Sequence, residues 1–313
     1  MRYRKTELLS VVIITAVLIF FEAATRAGAL PDDSFLAGTA KIRITPEIPI
    51  PMSGYGGRTA PFNGVHDDLY ARVIVFSDGT NKAVLISADL IGFSNSFWEE
   101  TTLRITNETG IKKEFVLLAA VHNHGVPVTK VYGEDSSVQV NTYVEELQNK
   151  IIIATKDAIG EDLGLEAMRV SKEIQPLSAG KISALQRVIS LPSKEKDSEN
   201  YLQPDSKNDD DLIVRLSAIK IGNIVFTGVS GELFNQISVN MRNQSPYSNT
   251  FMITHCNGSS GYLVTDDSFP KDGTNLSVDK YHPTGGYEVN SSRAKQGAEK
   301  VLIENLLEMI NEL

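Results

Sequence analysis

A chain of 313 residues with 30 Lys and Arg against 39 Asp and Glu carries a formal net charge of -9 at pH 7. That balance excludes a protein whose main partner is nucleic acid, since phosphate binding needs a basic face. Its 42% hydrophobic and 22% charged content is that of a globular chain with ample core, and the single cysteine, Cys256, excludes an internal disulfide.

The opening MRYRKTELLSVVIITAVLIFFEAATRAGALPDD has a basic start (Arg2, Arg4, Lys5), an apolar run from Leu8 to Phe21, and then small residues. That layout predicts a secretory signal over residues 1–30, cut between Ala24 and Leu30. An uncleaved N-terminal anchor is the alternative, although the run is short for a span of roughly 20 residues. Either reading puts the remainder, one domain over 35–313, in a secreted or extracytoplasmic place.

Strand and helix signals then alternate. Ala40–Pro46, Leu69–Asp78 and Lys82–Asp89 read as strands. SNSFWEETTLRITNETG reads as a helix with Ser94 or Asn95 as cap and Gly110 as stop. Lys113–Val121 is a buried strand, and Val140–Gly160 is a long amphipathic helix. LEAMRVSKEIQP and LIVRLSAIKIGNIVFTGVSG read as strands, the second as a hairpin turning at Gly222-Asn223. Between them, Ser193–Asp211 is polar and charged and reads as a mobile loop. GELFNQISVNMR starts a helix, TFMITHC is a strand, and SSRAKQGAEKVLIENLLEMINEL closes the chain as a helix. The pattern is α/β, a mixed β-sheet core with flanking helices, and no internal repeat is visible. Ligands in such a fold gather at strand ends.

The polar residues at those ends are distinctive. His122 and His124, two of only five histidines, follow a buried strand. Alternation along an extended chain points both imidazoles to one side. They can share a metal, or one can bind while the other handles protons, or both can be satisfied loop histidines. Glu232 follows Gly231 where a strand gives way to a helix, as a ligand or as a first-turn acid favouring the helix dipole. Tyr262 sits in a Gly-rich loop, and YHPTGGYEV supplies His282 and Tyr287. A tyrosine there is a phenolic donor or a packed aromatic.

Taken in order, these segments resemble the N-terminal catalytic domain of the neutral/alkaline, non-lysosomal ceramidases. AGTAKIRITPEIPIPMSGYGGR is similar to the family's start, and GVHDDLYARVIVFSDGTNKAVLISADLIGF to its next block of strands. AAVHNHGVPVT stands where the family has a T-H-T-H-S-G-P type motif. LSAIKIGNIVFTGVSGELF resembles its P-G-E block, with Ser230 in place of proline, and CNGSSGYLVT and GGYE resemble its closing signatures. The resemblance implies a single ceramidase-like domain holding Zn2+. It implies hydrolysis of a C–N amide bond: ceramide and water give sphingosine and a fatty acid, or a related smaller amide or ester is cleaved. By position it makes His122, Glu232 and Tyr262 zinc ligands, His124 a proton-handling residue beside the metal, and Tyr287 a donor near the reacting carbonyl. The implied partner is a small-molecule or lipid amide, with contact to a membrane surface and no nucleic acid.

One departure matters. The family's middle block, with a further histidine ligand and a serine needed for activity, has no counterpart here, because no histidine lies between His124 and His255. A replacement ligand has to be His66, His255 or His282. His282 is expected to fill the place, because its Gly/Pro-rich loop can bend inward, whereas the pleat of TFMITHC fixes the side on which His255 lies. The competing reading is a non-catalytic ceramidase-like scaffold that has lost the full metal site. An α/β-hydrolase esterase is disfavoured, since no G-x-S-x-G elbow occurs.

Overall fold

A computed structural model describes residues 35–55, 58, 60–129, 137–160, 180–194, 212–271 and 286–313. The expected signal segment, the strand LEAMRVSKEIQP, positions 195–211 of the polar loop, and His282 lie outside the described residues. No helix among the described residues is long and apolar enough to cross a membrane.

In chain order the elements are β1 (Leu36–Arg43), β2 (Tyr70–Ser77), β3 (Lys82–Ala88), α1 (Asn95–Thr109), β4 (Val116–Ala120) and α2 (Val138–Gly160). There follow β5 (Ile182–Leu191), β6 (Leu212–Ile221), β7 (Ile224–Val229), β8 (Glu232–Leu233), α3 (Asn235–Gln244), β9 (Asn249–Ile253), β10 (Tyr262–Leu263), α4 (Gly286–Ser291) and α5 (Ala298–Glu312). The caps agree with the sequence: Ser94 accepts from Phe97 N at 3.1 Å, and Gly110 ends α1 in the left-handed region. The β6–β7 hairpin turns at Gly222-Asn223, between the paired residues Ile221 and Ile224.

The expected class holds, but eight of the ten described strands form two mixed four-stranded sheets rather than one, and β8 and β10 pair separately. The first has the order β1-β2-β3-β4 and the second β5-β6-β7-β9. Each runs antiparallel, antiparallel, then parallel, and each parallel pair is joined through a helix, α1 in the first and α3 in the second. The two halves thus repeat one topology that no sequence similarity betrays.

Period-2 alternation sorts the strand residues onto two faces. Val84, Ile86 and Ala88 of β3 and Val116, Leu118 and Ala120 of β4 pack under α1 and α2. Ala83 and Leu117 face the other way, towards Ile182, Ile219 and Ile221 of the second sheet. That sheet's outer face, with Leu212, Val214, Leu216 and Ala218, packs under Leu302, Leu306 and Met309 of α5 and Ile237 and Met241 of α3. The result is four layers, helices–sheet–sheet–helices, with the sheets back to back.

Two further differences have local causes. The sequence pattern left β5 unassigned; it is the outer strand of its sheet and carries partly exposed polar residues such as Gln186 and Arg187. The closing helix is split. Residues 292–297 leave the helical path because Lys194 N donates to Arg293 O at 2.8 Å and Lys295 N donates to Pro192 O at 2.9 Å, and Gly297 restarts the helix from a left-handed φ of 97°.

Beside that break Lys194 is only 5% exposed, and its Nζ donates to Val289 O at 2.6 Å. Burial holds its pKa down at about 8, against about 10.4 for an unfolded lysine. Between those values the unfolded chain binds more protons, so stability rises with pH through that window. Below it both states are charged and the burial cost is present in full, on the order of 3 kcal/mol. Lys194→Met should therefore raise the thermal midpoint at pH 7 by several degrees. The gain should fade between about pH 8 and pH 10.4 in melts followed by circular dichroism, and a gain constant across pH would refute the burial account.

Candidate metal centre

The H-x-H segment follows β4, where the first sheet ends. Val121 N donates to Ala88 O at 3.0 Å and Asn123 N to Leu90 O at 3.1 Å, so the backbone stays tied to the end of β3. Between these two anchors His122 takes a left-handed φ of 59°. The chain is not extended there, and the same-side argument from strand alternation does not apply. The imidazoles meet all the same, with the two Nε2 atoms 3.2 Å apart. His122 Nδ1 lies 2.7 Å from Ile91 O. A carbonyl can only accept, so Nδ1 carries the proton and Nε2 is left as a lone pair.

Glu232 is not in the first turn of a helix, as its sequence setting suggested. It lies in β8, paired in parallel with β10 in the register Glu232↔Tyr262 and Leu233↔Leu263, and the helix begins only at Asn235. Gly261 O accepts from Glu232 N at 2.9 Å. The pairing, not a helix dipole, places the carboxylate next to the Tyr262 ring. A Cβ at Gly231 would stand 3.0 Å from Gly261 O and 2.8 Å from Leu263 Cδ1, so the approach of the two segments depends on glycine.

His255 completes the group. β9 ends at Ile253, and His255 turns left-handed with a φ of 48°. The pleat of TFMITHC therefore does not set its direction. Its N donates to Gly231 O at 3.0 Å and its O accepts from Ala120 N at 3.2 Å, which pins it between the Glu232 segment and the end of β4. Its ring stacks on that of His122, with centroids 3.9 Å apart and planes 13° apart. Asn257, two residues on, is also left-handed at 60° and ties this turn to β4 and β6 by side-chain hydrogen bonds. His122, His255 and Asn257 are the only non-glycine residues with positive φ among the described residues. Such conformations cost about 1–3 kcal/mol each and cluster where function needs them.

The donor set suits a divalent cation. One ligand atom from each of His122, Glu232 and His255 falls within 4.8 Å of the others. Glu232 Oε2 is 3.5 Å from His122 Nε2 and 3.7 Å from His255 Nε2. Tetrahedral bonds of about 2.05 Å put ligand atoms about 3.3 Å apart, so the three need only small adjustments. Tyr262 adjoins them through a hydrogen bond to Glu232, and burial together with the Glu232 charge pushes its phenol up to about 12. Without a cation that phenol stays protonated, and ligation by it would need the cation's charge. Tyr287, 67% exposed at the start of α4, meets the Tyr262 ring edge-on at 5.8 Å.

These residues line a cleft of about 460 Å³ whose opposite wall is Met52, Tyr55 and Arg58. That wall is strapped to the H-x-H loop: Ser53 N donates to Val126 O at 2.8 Å and Val128 N to Pro51 O at 3.0 Å. Gly54, at a φ of 106°, lies so close that a Cβ would stand 2.5 Å from His124 O.

Of the residues singled out from sequence, the structure brings His122, Glu232 and Tyr262 together, with His124 and Tyr287 beside them on the cleft wall. His66 is exposed and bonded to Asp67, apart from the group. His255 joins the group, while His282, the replacement expected from sequence, lies outside the described residues. Sequence reasoning also passed over the Ile91 carbonyl, Gly54 and Arg58. A turn signal for His255 was present in the Asn257-Gly258 pair that follows it.

No protein-family model matches the sequence, and no curated protein matches it. Solved structures do match. Neutral ceramidase from Pseudomonas aeruginosa superposes with a TM-score of 0.62 at 11% identity, covering 90% of this chain and 74% of that one. The chain is ceramidase-like in fold. A second structure, a ceramidase complexed with C2, gives a TM-score of 0.61 at 10% identity, covering 88% of this chain and 74% of its own. The likeness is one of fold, and it spans most of this chain.

Proposed function

We propose that this protein is a metal-dependent hydrolase of ceramidase type, exported by its N-terminal segment, that cleaves an amide bond in a lipid or smaller amide. One observation carries the reading: His122, Glu232 and His255 place three ligand atoms within 4.8 Å of one another at the strand ends of a ceramidase-like fold. The resemblance in sequence order supports zinc as the ion and His122, Glu232 and Tyr262 as its neighbours, and the convergence of His255 on the group supports it as a further ligand. A divalent cation there supplies Lewis acidity towards a carbonyl oxygen.

The chain's own residues do the rest. The Ile91 carbonyl fixes the His122 tautomer, so that Nε2 faces the group. His124, whose Nε2 lies 3.2 Å from that atom, is the imidazole beside the group; once a cation occupies the His122 lone pair, its ring is free to take a proton from an attacking water and pass it to the leaving nitrogen. Tyr287, on the exposed rim, presents a phenol to the oxygen on which charge develops. The nucleophile in this reading is a water, with His124 as its base. The basic start and apolar run of residues 1–30 support export.

Metal content of the purified protein, paired with hydrolysis of a fluorogenic ceramide and of a short N-acyl amide, tests this. The expected result is about one zinc per chain, with amide cleavage abolished by chelation and restored by zinc. A protein that binds no zinc at micromolar concentration would instead be the non-catalytic scaffold.

A further inference from the structure

The cleft contains one cation that the proposed hydrolysis does not use. Of the described residues lining it, only Arg58 and Glu232 are formally charged apart from the histidines. Arg58 Nη1 donates to two carbonyls, Ser53 O at 3.4 Å and His124 O at 3.3 Å. The guanidinium lies 4.8 Å from the Tyr55 ring centroid, and that ring sits edge-on to His124 at 5.5 Å. Among the described residues no carboxylate pairs with Arg58. Two carbonyls and one aromatic face hold the group in place, yet a guanidinium has five N–H donors, and those on its other nitrogens have no acceptor among these residues.

Several other described arginines are paired with carboxylates. Arg43 bonds Asp68 and Glu47, Arg72 bonds Asp89, and Arg187 bonds Glu308 and Glu312. Arg58 stands apart from them in a chain of net charge -9. Once Glu232 is committed to a divalent ion, the cleft wall carries net positive charge and attracts an anion. A planar, pre-oriented fork is suited to an oxygen anion, which it can grip with two parallel bonds.

We infer that Arg58, held by Tyr55 and by the Ser53 and His124 carbonyls, is a specificity residue that binds an anionic oxygen group on the substrate. The substrate class is then an acyl amide whose amine part ends in a carboxylate or phosphate, rather than a neutral amino alcohol. This rests on the amide-hydrolase reading for the identity of the reacting bond, but recognition by Arg58 needs no metal.

Titration calorimetry can read it directly. The probes are N-octanoylglycine, N-octanoyl-phosphoethanolamine and the neutral N-octanoylethanolamine, each measured on zinc-loaded and on chelator-treated protein. Wild type should bind at least one anionic probe about tenfold more tightly than the neutral one, as expected for charge-assisted bonds. The preference should persist after chelation and weaken with added salt. The tighter of the two anionic probes identifies the headgroup. Arg58→Met should bring all three probes within about twofold of one another, and Arg58→Lys should keep part of the preference because it keeps charge without the fork. Equal binding of all three by wild type overturns the inference, and so does a preference that survives in Arg58→Met. A preference lost on chelation alone also overturns it, since the metal and not Arg58 would then hold the anion. Should Arg58→Met fail to fold, Arg58→Lys and Arg58→Gln make the same comparison. If the protein shows the Arg58-dependent preference but cleaves no amide, the hydrolase reading fails while the anion site stands.

Discussion

His255→Ala should weaken zinc binding by about two orders of magnitude, because it removes one of three converging ligands and the loss of a ligand is felt more strongly than that of its outer supports. His122→Ala should do the same. His124→Ala should leave affinity within about threefold of wild type while lowering turnover, because His124 lies beside the group and is not one of its three members. His282→Ala is the decisive companion, since the loop chemistry of YHPTGG singled that residue out. Competition with a chromophoric chelator gives all four affinities in one format. Zinc binding that survives in His255→Ala and collapses in His282→Ala would return the third place to His282.

Asn257→Ala should cost about 4 kcal/mol, a loss comparable with emptying a large core position. Asn257 is 1% exposed, and its side chain bonds three groups on two sheets. Oδ1 accepts from Leu118 N at 2.8 Å, and Nδ2 donates to Val116 O at 3.1 Å and Ser217 Oγ at 2.9 Å. Truncation strands all three in the interior, and alanine also tolerates the φ of 60° less well than asparagine. Asn257→Gly separates the two effects: it loses the same bonds without the backbone penalty, and should be about 1 kcal/mol more stable than Asn257→Ala. Urea midpoints at unchanged slope give both values. A cost under about 1 kcal/mol for the alanine variant would mean that water or local repacking replaces the network.

What could be read from the sequence follows from which signals are local. Ser94 and Gly110 announced α1 through their own backbone chemistry, and Gly222-Asn223 announced a hairpin for the same reason. The pairing of the sheets did not show, because strands buried on both faces read as continuous apolar runs. Leu117 and Leu118 look alike in sequence, although one faces the second sheet and the other the helices. His122 and Glu232 were visible as polar residues at the ends of such runs. His255 was misjudged because TFMITHC looks like one strand to its end, while the backbone turns left-handed at the histidine. That turn is set by hydrogen bonds to Gly231 and Ala120, residues 24 and 135 positions away, and no window along the chain contains them.

The repeated strand order of the two sheets gives the metal-suited group a particular standing. His122 comes just after the last strand of the first sheet and His255 just after the last strand of the second, each left-handed, their rings face to face. They occupy the same address, two residues past the last strand, in two sheets of one strand plan. Glu232 breaks the equivalence, since it comes from the second half only. The group therefore draws one histidine from the end of each sheet, and both sheets must hold their places for the two rings to stack. A cation bound there would act as a rivet between the two sheets, and pulling them apart would mean first letting it go.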